Sequence, residues 1–204
     1  MNRQENREIT RRKLLASARQ VFARSGFDGA SIDALAEAAG FTKGAFYSNF
    51  ESKEAILLAL LEEHWQAQAA ACQSLVASGE NLETLIDTLS EQSAELIAHS
   101  DWPLLELELQ RQAGRNQVLA QQFGQLQSMQ LENIAALVEH LLPGDGADLA
   151  SRTADRDSSA RVIARGILAL NKGLAVQRAG GDKGLDADTL KALLARFYWA
   201  ILSS

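Results

Sequence analysis

The stretch from Lys43 to Asn49 concentrates the side chains that proteins use to contact nucleic acids. A lysine ammonium, a tyrosine hydroxyl and the polar groups of serine and asparagine can bond to phosphate oxygens or to base edges. Gly44 has no side chain, so the backbone there can approach a partner closely. Together with polar and basic neighbours, the predicted contact residues are Ser31, Thr42, Lys43, Gly44, Tyr47, Ser48, Asn49, Lys53 and Arg11.

The surrounding sequence predicts short helices that would present these side chains. Ser31 is a good N-cap for a helix over residues 32–39, and Gly40 suits the left-handed position that ends a helix. Thr42 and Ser52 then cap the next two helices, the first of which covers residues 43–49. Two short helices joined by a glycine turn form the helix-turn-helix pattern that reads duplex DNA. An ordinary corner between two helices is the alternative interpretation.

The segment from about Ile9 to Leu61 resembles the DNA-binding domain of the tetracycline-repressor (TetR) family. The resemblance rests on Leu14-Leu15-Ala16-Ser17-Ala18, Val21-Phe22, Gly26-Phe27, Ser31-Ile32, Ala36, Ala39-Gly40, Lys43-Gly44-Ala45-Phe46-Tyr47, Asn49-Phe50 and Ser52-Lys53-Glu54. It implies an all-α protein of about nine helices. Residues 1–53 would form a three-helix helix-turn-helix domain. Residues 54–204 would form a six-helix domain for ligand binding and dimerisation.

The formal charge is divided unevenly along the chain. Residues 1–53 carry nine Lys or Arg and six Asp or Glu, a net charge of +3. Residues 54–204 carry eleven and twenty, a net charge of −9, and the two halves recover the total of −6. The basic surplus coincides with the helix-turn-helix, as binding to phosphates requires. The basic residues before Leu14 are interpreted either as an arm that reaches DNA or as a solvated end.

Composition narrows the class and the location of the protein. A chain of 204 residues with 47% hydrophobic content suits one or two small globular domains. A polar, charged N-terminus predicts no signal peptide, and no apolar run reaches the roughly 18 residues of a membrane helix. Cys72 is the single cysteine, which excludes an internal disulfide and fits the reducing cytoplasm, the predicted location.

The last two helical segments carry apolar stripes that predict a homodimer. Two copies related by a two-fold axis would read a palindromic operator. In the resembling family these helices form a four-helix bundle with the partner's pair, and packing of the monomer's own core is the alternative. The predicted interface residues are Ile163, Gly166, Ile167, Leu170, Gly173, Leu174, Leu190, Leu194, Phe197, Tyr198 and Ile201.

The middle helices would enclose a pocket for a small-molecule effector, as the resemblance implies. Aromatic and aliphatic side chains would form apolar walls, with a few amide groups as polar contacts. The predicted lining residues are Trp65, Gln68, Trp102, Leu105, Leu109, Phe123, Leu126, Gln130 and Asn133. The neutral polar set favours an uncharged or weakly polar organic compound. No cofactor is predicted.

The sequence therefore predicts a TetR-type regulator, a repressor released from its operator when the effector binds. An architectural or effector-independent DNA-binding protein and an activator remain open. An enzyme is not predicted, because His64, His99 and His140 lie far apart in the sequence and no Walker, G-x-S-x-G or H-E-x-x-H motif occurs. The same histidines with Cys72 have no metal-ligand spacing, so no metal site is predicted.

Overall fold

The protein is all-α in the computed structural model, which describes residues 3–141 and 159–202. Within those ranges the chain forms nine helices and no strand, which confirms the predicted fold class. The run Pro143-Gly144-Asp145-Gly146 predicts a loop over residues 143–158, which lies outside the described residues. The helices are α1 Arg3–Gly29, α2 Ile32–Ala38, α3 Lys43–Tyr47, α4 Lys53–Ala77, α5 Leu82–His99, α6 Trp102–Ala113, α7 Gln117–Leu141, α8 Ser159–Ala179 and α9 Ala187–Leu202.

Short polar side chains begin the helices on both sides of the glycine turn. The Oγ of Ser31 accepts a hydrogen bond from the N–H of Ala34 at 3.1 Å, at the start of α2. The Oγ1 of Thr42 accepts one from the N–H of Ala45 at 3.3 Å, at the start of α3. Gly40 lies between them with a φ of +74°, in the left-handed region that favours glycine. These caps and this turn were predicted from the sequence and are confirmed.

The first compact unit contains the chain up to His64 together with Leu105–Gly124. Helix α2 packs between α1 and α3 within this unit. The side chains that close its core are apolar and almost completely buried. They include Leu14, Ala18, Phe22, Leu35, Phe46, Ile56, Leu57, Leu61 and Leu109. Because only one side of α2 and of α3 is buried in this core, the opposite side of both helices is exposed.

The second compact unit contains Trp65–Leu104 and the chain from Gln125 onward. Its main packing is of α5 against α9, with α8 also against α5. The hydroxyl of Tyr198 on α9 lies 3.1 Å from Asn171 Oδ1 on α8 and 3.2 Å from Ser93 Oγ on α5. A phenol has one proton, so it donates to the amide oxygen and accepts from the serine. These bonds tie the three helices together inside an otherwise apolar core.

Several boundaries differ from the predicted ones. The backbone of Gly26 is not helical, with φ +66° and ψ 174°, so the first helix is interrupted there, where the sequence predicts its end, and one further turn runs to Gly29. Helix α3 ends at Tyr47, two residues earlier than predicted. The compact units divide within α4 after His64. The predicted functional boundary after residue 53 stays a prediction. No helix within the described ranges is long and apolar enough to cross a membrane.

Candidate nucleic-acid interface

Helix α3 presents one side to the core and the other to solvent. Phe46 is completely buried and its ring lies 5.9 Å from that of Phe50, so the helix is anchored from beneath. Tyr47 follows Phe46 directly, and half of its surface is exposed. A five-residue helix is too short to persist on its own, because the first helical turn is costly to form. Its capping residue Thr42 and the buried Phe46 hold it in place with its outer side free.

Gly44 on this outer side has no reason to be glycine within the chain. Its backbone φ is not positive, and an added Cβ would meet only the Oγ1 of Thr42, at an ordinary contact distance of 3.7 Å. A glycine inside a helix is less favourable than alanine by about 1 kcal/mol. The absence of a side chain therefore points to a partner that approaches the α3 backbone from outside.

Lys43, the first residue of α3, forms an ion pair with the helix before it. Its Nζ lies 2.9 Å from the Oδ2 of Asp33, in the first turn of α2. The hydrogen bond to Asp33 and the charge of that carboxylate raise the pKa of Lys43 above its ordinary value. The lysine is therefore charged and held across the helix-turn-helix corner, on its exposed side.

Two predicted contact residues, Ser48 and Asn49, bond to their own helix instead of reaching outward. The Oγ of Ser48 donates to the carbonyl of Gly44 at 2.9 Å. The Nδ2 of Asn49 donates to the carbonyl of Ala45 at 2.8 Å, and Asn49 Oδ1 is buried. Gly44 O also accepts the backbone N–H of Ser48 at 3.1 Å, and short polar side chains commonly bond to carbonyls in the last turn of a helix. Asn49 was predicted as an outward contact, and its half-buried side chain corrects that placement.

A shallow depression of about 520 Å³ lies beside α3. It is lined by the end of α1, the link to α2, the first turns of α2 and α4, Tyr47 of α3 and Glu51. Its lining residues are Asp28, Gly29, Ala30, Ser31, Ile32, Tyr47, Glu51, Ser52, Lys53 and Glu54. Helix N-termini carry free N–H groups and partial positive charge, and both favour an anion. Three predicted contact residues, Ser31, Tyr47 and Lys53, are brought together here.

Lys53 is the positively charged side chain that lines this depression, and its ammonium group already contacts Phe27. Its Nζ donates to the carbonyl oxygen of Phe27 at 2.7 Å and lies 4.4 Å from the centre of the Phe27 ring. An ammonium group has three donors, so the carbonyl uses one of them. The contact ties the start of α4 to the end of α1 and holds the charge at the depression.

Carboxylates at the same depression moderate its positive character. Asp28 accepts a hydrogen bond from the guanidinium of Arg111 on α6 at 3.2 Å. The same guanidinium bonds to Glu108 at 2.7 Å, and this hydrogen bond holds the pKa of Glu108 below its ordinary value. Glu51 and Glu54 also line the depression. Asp28 and Ser52 were not among the predicted contact residues, although Ser52 was predicted to cap α4.

Arg11 on α1 lies against the aromatic end of the helix-turn-helix. Its guanidinium carbon is 4.5 Å from the centre of the Phe50 ring, a cation–π distance. The side chain is half-buried, whereas Arg12 and Lys13 beside it are exposed. A contact between Arg11 and DNA stays a prediction.

Comparison with known proteins bears on this geometry. Residues 14–60 match the family model described as bacterial regulatory proteins, tetR family. The N-terminal segment belongs to the TetR family. The matched residues span α2, α3 and the first turns of α4, the elements that build the exposed helix and the depression. The resemblance drawn from the sequence is confirmed.

Two curated relatives of this TetR segment are transcriptional repressors. The repressor NemR of Escherichia coli (strain K12) is 41% identical over 71 residues, which cover 35% of this chain and 36% of NemR. The repressor AcnR of Corynebacterium glutamicum is 31% identical over 103 residues, half of each chain. The chain thus spans between about a third and a half of the length of these two curated relatives.

A solved structure extends the likeness of the fold over nearly the whole chain. The transcriptional regulator FadR from Bacillus subtilis, in complex with stearoyl-CoA, matches with a TM-score of 0.65. The match covers 94% of this chain and 97% of FadR, at 19% sequence identity. At that identity the likeness shows the fold alone.

The predicted effector residues lie in both compact units. Leu105, Leu109 and Phe123 belong to the first unit, and Leu109 is completely buried in it. Trp65, Gln68, Trp102, Leu126, Gln130 and Asn133 belong to the second. Asn133 is exposed, which does not fit its predicted place inside a pocket. None of the nine lines the depression beside α3. An effector site at these residues stays a prediction.

The predicted dimer residues divide into buried and partly exposed groups. Leu174, Leu190, Leu194 and Tyr198 are buried in the core of the second unit, so their side chains are not available to a partner. They were wrongly placed at an interface, because they lie on the side of α8 and α9 that faces α5. The partly exposed group is Ile163, Gly166, Ile167, Leu170, Phe197 and Ile201, with Gly173 exposed.

Further exposed apolar side chains lie on the same two helices. They are Val162 and Val176 on α8 and Leu193 and Trp199 on α9, with 37% to 58% of their surface exposed. An added Cβ at Gly166 or Gly173 would have nothing within 4 Å. Close packing inside the chain therefore does not require a glycine at either position.

The histidines and the cysteine do not assemble into a site within the described part of the chain. No group of three or more His, Cys, Asp or Glu side chains there could hold a metal ion. Burial raises the pKa of the Cys72 thiol, which disfavours the reactive thiolate. The family and the relatives are transcriptional regulators, and the prediction that this chain is not an enzyme stays a prediction.

Proposed function

We propose that this chain is a DNA-binding transcriptional regulator that represses by occupying a palindromic operator as a homodimer. Helix α3 enters the major groove with its outer side, where Lys43, Gly44 and Tyr47 lie. The neighbouring depression receives a backbone phosphate through Lys53, Tyr47 and the N-terminus of α2. The observation that supports the proposal most directly is the exposed outer side of α3, where Gly44 leaves the backbone accessible. Beside it lies the depression, which is lined by the N-termini of α2 and α4 and by Lys53.

The short length of α3 is the first argument for a homodimer. Five residues contact only a few base pairs, and two copies on a two-fold axis double that number. The support is the exposed apolar surface of α8 and α9, with Val162, Val176, Leu193 and Trp199, beside the open glycines. Monomeric surfaces scatter such residues singly, so apolar side chains on two adjacent helices suggest an interface.

Release by a small molecule is the remaining part of the proposal. FadR of Bacillus subtilis, which has a similar fold, is in complex with stearoyl-CoA in its solved structure. In this chain the effector would bind the body and favour a conformation with lower affinity for DNA, because ligand binding shifts only an equilibrium in which its affinities differ. Thermal unfolding across a library of small organic compounds would find such an effector. A hit should weaken DNA binding as well as raise the melting temperature.

DNA binding is tested by enrichment of duplexes from a random-sequence library, followed by fluorescence anisotropy at several salt concentrations. The expected result is one palindromic sequence bound tightly, with a steep salt dependence from several phosphate contacts. Tyr47→Ala and Lys53→Ala should weaken binding to all duplexes. Lys183→Ala, an exposed lysine beyond α8, is the matched control and should change little. Equal affinities in all three variants would contradict the assignment.

The dimer is tested by sedimentation equilibrium. The double variant Leu193→Asp/Trp199→Asp places two charges on the proposed interface and should produce monomers. Val118→Asp is the control, since Val118 is 66% exposed and lies on α7 in the first unit. A monomeric wild type, or monomers produced equally by the control, would remove the dimer from the proposal.

A further inference from the structure

The ion pair between Asp33 and Lys43 spans the two helices of the helix-turn-helix on their solvent side. The carboxylate belongs to the first turn of α2 and the ammonium to the first residue of α3, and their atoms lie 2.9 Å apart. Both side chains are exposed, Asp33 by 66% and Lys43 by 53%. The pair therefore lies on the surface that the proposed function presents to DNA.

Stabilising the corner does not account for this pair. The angle between α2 and α3 is already set by the buried side chains of Leu35, Ala36 and Phe46. The N–H of Phe41 also bonds to the carbonyl of Ala36 at 2.9 Å, which closes the turn. Exposed ion pairs add little to stability, because water and salt screen them. The significance of Asp33 lies in what it does to Lys43.

Without Asp33, the side chain of a lysine at this position would not be held in one orientation. Its ammonium is a compact point charge on a flexible four-carbon stem. The start of α3 is also the positive end of a helix dipole, which repels the ammonium group and favours its contact with any nearby anion. On DNA the most abundant anions are phosphates, and a phosphate contact carries no direct sequence information. Asp33 offers a fixed carboxylate that keeps the ammonium on the outer side of the corner.

We propose that Asp33 is a specificity-determining positioning residue, which holds Lys43 for a guanine edge and keeps it from the phosphate backbone. The inference rests on the proposed function, in which α3 enters the major groove. There the O6 and N7 atoms of guanine accept hydrogen bonds from lysine. Gly44 beside Lys43 lets the α3 backbone come close enough for a side chain held in this way to reach a base.

The test is selection from a duplex library with roughly 30 random base pairs, enough for two half-sites one or two turns apart. Wild type, Asp33→Asn and Glu37→Gln are each selected and then titrated by anisotropy. Glu37→Gln is the matched control, because it removes the same charge from the exposed side of the same helix. Asp33→Glu is the rescue variant, since it keeps the carboxylate.

Asp33→Asn should still bind DNA but discriminate less. At one G·C pair of each half-site its preference should fall about tenfold, within the range of a single good base contact. The salt slope should steepen by about one unit per chain, as Lys43 moves to a phosphate. Glu37→Gln and Asp33→Glu should keep the wild-type preference. In a Lys43→Ala background, Asp33→Asn should have no further effect on that preference.

A spectroscopic signature is expected in the absence of DNA. The ammonium resonance of Lys43 should shift in Asp33→Asn and not in Glu37→Gln. If wild type selects a sequence while Asp33→Asn and Glu37→Gln behave alike, the inference is overturned and the proposed function stands. If wild type selects no sequence, both are overturned. An effect of Asp33→Asn that persists without Lys43 would also contradict the positioning role.

Discussion

The helix-turn-helix corner and the α8–α9 pair use similar residues in different ways. At the corner, one side of each short helix is apolar and buried, and the other is polar and open to a partner. On α9, Leu194 is completely buried while its neighbour Leu193 is 37% exposed, and Tyr198 and Trp199 repeat this contrast. The apolar residues of α2 and α3 that face the core fix how these helices lie in the chain, whereas α9 carries apolar residues on a buried side and on an exposed side.

The strongest test of this contrast compares two adjacent leucines. Leu194→Ala should lower the free energy of unfolding by about 2–5 kcal/mol, because it opens a cavity in the core. Leu193→Ala should cost far less within one chain and act through dimer formation. Urea unfolding at several protein concentrations separates the two effects, since only a loss of dimer stability depends on concentration.

A concentration-independent loss of several kcal/mol in Leu193→Ala would place that side chain in the core. The division of α9 into a buried and an interface side would then be wrong. A small loss in Leu194→Ala would contradict its burial in the same way.

Gly44→Ala separates stability from binding at the corner. The Cβ fits inside the chain and alanine favours a helix, so the free energy of unfolding should rise by up to about 1 kcal/mol. DNA affinity should fall by about tenfold or more, equivalent to about 1.4 kcal/mol, because the methyl group keeps the backbone from the partner. Thermal unfolding and anisotropy on one preparation provide both values. If the free energy of unfolding and the DNA affinity both rose or both fell, the argument that DNA comes close to the α3 backbone at Gly44 would be removed.

The first unit also carries a pH-sensitive group, His64. Burial, with a smaller effect of the Arg19 charge, lowers the pKa of His64 from 6.5 to about 4. The unfolded chain then binds more protons than the folded chain between these two values. The free energy of unfolding should therefore fall as the pH decreases from about 6.5 toward about 4.

The expected loss through His64 is about 1–2 kcal/mol, after allowance for the exposed part of its side chain. His64→Gln should remove this part of the pH dependence, and the exposed His140→Gln should not. Urea unfolding at pH values across the window measures both. An unchanged pH dependence in His64→Gln would show that the histidine is solvated in the folded chain.

The smallest predicted effect concerns the cap of α3. Thr42→Ala removes the acceptor for the N–H of Ala45 and should lower the free energy of unfolding by about 1 kcal/mol. Thr42→Ser keeps the acceptor and is the control. Equal stability of the two variants in thermal unfolding would mean that tertiary packing alone fixes the start of α3.

The corner could be predicted from the sequence because its signals are local. Ser31 and Thr42 cap helices through bonds three residues ahead, and Gly40 marks a backbone conformation that other residues rarely adopt. The end of α3 was missed because it depends on side chains that turn back to carbonyls, as Asn49 does. A polar residue on a short helix can either bond to the carbonyls of its own helix or contact a partner, and its position in the sequence does not distinguish the two roles.

The burial of individual apolar residues on α8 and α9 could not be predicted, for a different physical reason. The stripe through Leu190, Leu194 and Tyr198 has helical spacing, which identifies an apolar side but not what covers it. The depression beside α3 depends on α1, α2 and α4 meeting in space. Asp28 was not singled out, because its partner Arg111 lies 83 residues away in the sequence.

The central claim is that the outer side of α3 and the depression beside it bind DNA. Its most direct test is anisotropy of the wild type and Tyr47→Ala against the selected duplex, measured across a series of salt concentrations. The account predicts tight wild-type binding that weakens steeply with salt, two chains per duplex, and a loss of affinity in Tyr47→Ala with an unchanged fold. Wild-type binding that is absent at low salt, or identical in Tyr47→Ala, would contradict it.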